Sequence, residues 1–366
     1  MDKNIDGIKI YKKNMNNLKC KDLENIYKNI YDIELKHFNI QSSFSSYSST
    51  GNYYSTSNIN YLIMNLNLGC RLIHLDINYK TIDGIRTPIV TNVNEQNNKF
   101  EMNTYLKFDK CCEIIAEYGY NQKHKSLYPL ILFLNLNYKT KYLDVSNRIS
   151  KSIITHLKDY LLPIKYAYGN TNLPNTKLKE LIFEKDDCKL GHIIIIKNYN
   201  NNNVDENKNY KPNNIDNNKR VDTTSLEELT NGYLKIIDIH NISEVNKEDE
   251  LIGITIKNIY YGVNNKNNKY IYPEISLLQD EKLNNKLIFL IPELENGKAN
   301  LTNNLYNFEL NYLLGTDVFK KINNNINFIM NQYVSKKEII QKEIETNIFL
   351  KLGTPFILNI LSYNNN

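Results

Sequence analysis

GCRLIHLDI, residues 69–77, alternates two kinds of side chain. Cys70, Leu72, His74 and Asp76 fall on one side and Arg71, Ile73, Leu75 and Ile77 on the other. That is the period of a strand with one polar side and one side that is apolar beyond Arg71. Upstream, Ile59, Leu62, Ile63 and Leu66 recur at helical spacing, and HFNIQSSF (37–44) reads as a strand with Phe38, Ile40 and Ser42 on one side. Leu23, Ile26, Tyr27 and Ile30 predict an amphipathic helix over 18–32. Downstream, a short TPIV strand (87–90) follows a DG turn at 83–84, and YLKFDKCCEIIAEY (105–118) returns to helical period. YPLILFLNLN (128–137) and GHIIIIKN (191–198) are continuous apolar runs, as parallel strands buried on both faces require, with a helix predicted over 145–161 between them.

The Asn-rich segment 198–222 breaks this rhythm and is too polar to offset its ordering entropy, so it reads as a disordered insertion. Strands resume at 233–239, 251–261 and 286–292, a helix is predicted near 316–331, and FILNIL (356–361) closes the pattern. Strand and helix alternate throughout, which defines an α/β class. The expected organisation is an N-terminal helical extension (1–36), one domain over 37–361 interrupted by 198–222, and a disordered tail at 362–366. No internal repeat is visible.

Composition excludes several functions. The net charge is +5, from 45 basic and 40 acidic residues spread along the chain, whereas nucleic-acid binding needs a clustered basic face. Five cysteines without C-x-x-C spacing argue against zinc and against a disulfide framework, and they fit a reducing compartment. The charged start MDKNIDGIKIYKKN has no apolar core for a signal peptide, and LYPLILFL (127–134) is far too short to span a bilayer. A cytoplasmic protein is the expectation. Asn, Lys, Ile and Tyr all have AT-rich codons, so their excess reflects base composition and Asn runs carry little weight as motifs.

SSFSSYSSTGNYYSTSN (42–58) is rich in Ser and Thr, yet it holds Phe44, Tyr47, Tyr53 and Tyr54, which a flexible linker would not need. The order SSFSSY, LGCRLIHLD, TPIV, YPLILFLNLN and IIIIKN resembles the X region of phosphatidylinositol-specific phospholipase C over about residues 37–198. More narrowly, it looks like the divergent phospholipase-C-like proteins carried by large DNA viruses. The resemblance implies a distorted (β/α)8 TIM-type barrel with its site at the C-terminal ends of the strands, and it places 42–58 at the lip of that site.

The resemblance also implies where the chemistry should stand. Active members carry an acid/base His in the first strand and a second after the Pro-apolar strand, because imidazoles titrate near neutrality. Those positions are Phe44 and Asn92 here. The calcium positions, which need hard oxygen ligands, fall at His74, Asp76 and Asn135, so Asp76 alone keeps its ligand type. Bacterial relatives set an Arg where Asp76 stands, and that solution is missing as well. Lys197 matches a headgroup-phosphate lysine, or else is a solvated strand end. His74 is a relocated acid/base or metal ligand on one reading and a hydrogen-bonded core His on the other, which is favoured. Arg71, on the opposite face, is expected in a structural ion pair. Three readings follow. The first is a non-catalytic phospholipase-C-like protein, structural or interacting, with protein partners or peripheral lipid contact and with no cofactor, in the cytoplasm or a virion. The second is a phosphoric diester hydrolase with rebuilt catalytic groups, using calcium if active. The third is a lipid-headgroup or phosphate binder.

Overall fold

The computed structural model describes residues 9–10, 30–48, 56–91, 93–94, 99–100, 104–120, 127–138, 142–185, 188–198, 225–257, 280–293, 326–328 and 356–358. Its centre is a ten-stranded sheet. In chain order the strands and helices that matter are β1 (Phe38–Ile40), β2 (Ser42–Ser43), α1 (Ile59–Leu68), β3 (Leu72–Ile82), β4 (Ile85–Val90) and β5 (Leu106–Lys107). They are followed by α2 (Phe108–Tyr118), β6 (Leu130–Leu136), α3 (Leu143–Leu157), β7 (Ile193–Asn198) and α4 (Leu226–Leu229). The last five strands are β8 (Gly232–Asp238), β9 (Leu251–Lys257), β10 (Leu287–Glu293), β11 (Ile326–Phe328) and β12 (Phe356–Leu358).

Eight of these strands, β2, β3, β6, β7, β8, β9, β10 and β11, lie side by side in chain order and all run parallel. Parallel neighbours need a crossover, and helices α1, α2 and α3 supply three of them. The far edge of β3 is shared: Ser42 and Ser43 pair with its first two residues, and β4 folds back antiparallel along Ile77–Ile82. That hairpin turns at Asp83 (φ 50°) and Gly84 (φ 76°), the paired left-handed residues of a tight two-residue connection. Among the described residues no ladder joins β11 to β2; β12 pairs antiparallel with β1.

The two faces of the sheet bury different partners. Ile73, Leu75, Ile77, Leu130, Leu132, Leu134, Ile193 and Ile195 face the helices, packing on Cys111, Ile115, Ile149 and Ile153. Leu72, Ile131, Phe133, Ile194, Ile196, Leu234, Leu251 and Phe289 face away from them, together with Phe38 and Ile40. One core thus runs along that face from Leu72 of β3 to Phe289 of β10, with Phe38 and Ile40 of β1 packed into it. Each such aliphatic side chain contributes about 1.5–3 kcal/mol on burial.

Several expectations need correction. The helix expected near 316–331 contains strand β11, which pairs with Ile288–Leu290; the rest of that stretch lies outside the described residues. Of the helix expected over 18–32, only Ile30–Asp32 is described, as a single 3₁₀ turn. The expected strand over 37–44 is broken at Gln41, whose carbonyl accepts the amides of both Arg71 and Leu72. Residues 199–222 and 362–366 lie outside the described residues.

Candidate functional site

Four of the expected site residues meet at the C-terminal ends of the parallel strands. Alternation along β3 sends Leu72, His74 and Asp76 to the helix-free face, and alternation along β6 does the same for Phe133 and Asn135. Beyond β2 the chain turns sharply at Ser45, whose φ of 43° lies in the left-handed region, a strain of about 1–2 kcal/mol for a residue with a Cβ. The turn folds residues 44–48 back over β3. It is pinned by Ser46 N–H donating to His74 O (3.0 Å), by His74 N–H donating to Ser46 Oγ (3.0 Å), and by Asn65 of α1 donating to Ser46 O (3.0 Å). Helix α1 is in turn fixed by Asn58 at its N-cap and by Gly69 (φ 90°) at its left-handed C-cap.

Among the described residues, the polar side chains that meet the Asp76 carboxylate are donors. Tyr47 Oη donates to Oδ2 (2.7 Å), Ser45 Oγ donates to Oδ2 (3.3 Å), and Asn135 Nδ2 donates to Oδ1 (2.7 Å). His74 Nε2 stands 3.7 Å from Oδ1. The Ser45 amide donates to His74 Nδ1 at 3.0 Å. A backbone N–H can only donate, so Nδ1 is unprotonated and the proton of the neutral ring sits on Nε2, facing Asp76. Burial lowers the His74 pKa below its ordinary value, with the Asp76 charge opposing in part. The imidazole is therefore a neutral, hydrogen-bonded ring at neutral pH. Phe44 lies flat on it, with centroids 4.6 Å apart and planes at 5°, and Phe133 packs nearby at 4.9 Å.

Two expectations about charge fail. Lys197 is not at this site. It lies on the helix-facing side of β7 with Ile193 and Ile195, buried, ion-paired to Glu227 of α4 and set 4.9 Å from the Tyr233 ring centroid. Glu227 also accepts from Tyr233 Oη. The reason is parity: Lys197 follows Ile195 by two, and the helix side offers a carboxylate. Arg71 has no carboxylate within ion-pair distance among the described residues. It donates instead to Tyr128 O from Nε (3.1 Å) and Nη2 (2.7 Å), and to Gly119 O from Nη1 (2.7 Å). Asn92 lies outside the described residues; the chain before it ends at Thr91, whose amide donates to Asp76 O. Sequence reasoning gave no role to the hydroxyls of Ser45 and Tyr47. Only the turn at Ser45 brings them onto Asp76, and a non-Gly residue at positive φ leaves no mark in a sequence.

Residues 31–185 match the family model for the phosphatidylinositol-specific phospholipase C X domain. Among solved structures, PLC21 of L. pealei superposes with a TM-score of 0.52 at 14% identity, over 92% of this chain and 38% of its own. PLC21 of S. officinalis gives 0.51 at 15%, over 91% of this chain and 38% of its own. A calcium-dependent phosphoinositol-specific phospholipase C from Pseudomonas sp. gives 0.44 at 8%, over 82% of this chain and 91% of its own. The chain thus spans 38% of the length of either PLC21 structure. No curated protein sequence matches it. The chain has the fold of the phospholipase-C-like phosphodiesterases. No helix among the described residues is long and apolar enough to cross a membrane.

Proposed function

We propose that this chain is a phospholipase-C-like barrel without hydrolytic activity, serving as a structural or interaction protein. The observation that carries the reading is the Phe44 ring stacked on His74, at the position where the resemblance puts an acid/base imidazole. A phenyl ring cannot move a proton, and losing one general acid or base costs about 10²–10⁴ in rate. Asn92, at the second imidazole position, has an amide that cannot titrate. The reading extends to the whole of 37–361 as one barrel domain, with 198–222 as an insertion. It also places the chain beside the divergent proteins of large DNA viruses, in the cytoplasm or a virion. A phosphate-binding role is disfavoured because Lys197, the lysine the resemblance offered, is committed to Glu227.

The proximity of His74 and Asp76 favours one alternative, a hydrolase with relocated groups. Against it, His74 is only 2% exposed and its Nδ1 is already occupied. Hydrolysis of phosphatidylinositol and of its phosphorylated forms decides between the two. The assay should run with and without calcium, across the range where imidazoles titrate. The expected rate is that of the buffer alone. Turnover that His74→Ala or Asp76→Asn abolishes would establish the alternative.

A further inference from the structure

The resemblance to calcium-dependent phospholipases makes the Asp76 position a place to look for a cation, and the donor set around it argues otherwise. Calcium takes six to eight oxygen ligands, each presenting a lone pair. Asp76 is surrounded by groups that present hydrogens: the Tyr47 phenol, the Ser45 hydroxyl, the Asn135 amide nitrogen, and the Nε2–H of His74. A carboxylate offers about four lone-pair directions. Both on Oδ2 and one on Oδ1 are taken by hydrogen bonds, and the Nε2–H faces Oδ1. The His74 nitrogen that lacks a proton is turned away from the carboxylate, onto the Ser45 amide. Among the described residues no three His, Cys, Asp or Glu side chains come together as a metal-binding group.

These donors do one structural thing in common. Tyr47 and Ser45 both belong to the turn over the strand ends, and both converge on one carboxylate from β3; Asn135 steadies that carboxylate from β6. Tyr47 is fully buried, so loss of the carboxylate would break a hydrogen bond made out of reach of water. We propose that Asp76 is the anchor that ties the Phe44–Ser48 turn across the strand ends, and that it takes no divalent cation. The proposal does not depend on whether the chain hydrolyses anything, since a metal-free enzyme would satisfy it equally.

The test uses the full chain, calcium chloride, and thermal unfolding of four proteins: wild type, Tyr47→Phe, Asp76→Asn and the double variant. Calorimetry should give no saturable heat with calcium at millimolar concentration, and calcium should leave all four midpoints in place. Each single substitution should lower the midpoint by about 3 °C or more, with the double variant falling by less than the sum, because both act on the shared Tyr47–Asp76 hydrogen bond. Calcium raising the wild-type midpoint, with the rise lost in Asp76→Asn, would overturn the proposal, as would strictly additive shifts. Where Asp76→Asn does not fold, Tyr47→Phe carries the test alone. It frees a lone pair on Oδ2 while keeping the ring, so a latent cation site would then respond to calcium and an anchor would not.

Discussion

Arg71→Met should lower the unfolding free energy by about 2–4 kcal/mol, measured by urea titration, because it strips two buried carbonyls of their donors. Arg71 is 1% exposed, and its three hydrogen bonds end on Tyr128 O and Gly119 O. Those carbonyls belong to the end of α2 and to the approach to β6, so Arg71 splices a helix end to a strand start. Burial pulls its pKa down to about 10, which still leaves it charged at neutral pH. The cost of burying that charge is recovered in the methionine variant, so the loss falls short of the sum of three charged hydrogen bonds. Arg71→Lys should do no better than partial rescue. An ammonium on a flexible stem has no planar fork with which to reach both carbonyls. A methionine variant as stable as wild type would show that water replaces the guanidinium.

Gly191→Ala should cost about 3 kcal/mol or more by the same measurement, since overpacking against backbone has little room to relax. A Cβ at Gly191 would stand 2.1 Å from the Tyr128 carbonyl carbon and 2.2 Å from its oxygen. That oxygen is the one that accepts two of the Arg71 bonds. The Gly191 carbonyl also accepts from Tyr120 Oη at 3.1 Å. Both substitutions therefore strike one carbonyl, and their combined effect should be smaller than the sum. An alanine variant with an unchanged urea midpoint would mean that the Ile193 strand can shift away from Tyr128.

Much of the fold was legible because burial repeats with backbone geometry. The runs LYPLILFL and IIIIK are buried on both faces, and the alternation in GCRLIHLDI correctly separates His74 and Asp76 from Arg71. Partners were less legible. The ion pair expected for Arg71 turned out to be a set of carbonyls, because the atoms that satisfy it are main-chain oxygens, which every residue carries. The place of Lys197 was derivable from parity with Ile193 and Ile195, but the resemblance to a phosphate lysine pointed the other way. The role of Tyr47 was beyond reach, since it depends on the left-handed turn at Ser45.

The account rests on the strand ends being organised for packing, with His74 a neutral ring locked between Phe44, Ser45 and Asp76. A lowered His pKa also has a sign: the unfolded chain binds the proton more tightly, so stability is complete above about pH 6.5 and declines as pH falls through and below it. His37, held down to about 4 mainly by burial, works in the same direction. The direct measurement is the ¹⁵N spectrum of the His74 ring, assigned through a His74→Gln variant and followed from neutral to acid pH with and without calcium. The expected result is a neutral ring protonated on Nε2, unprotonated on Nδ1, that does not titrate near pH 6.5 and does not respond to calcium. An imidazolium at neutral pH, or ring shifts that move with calcium, would contradict the account.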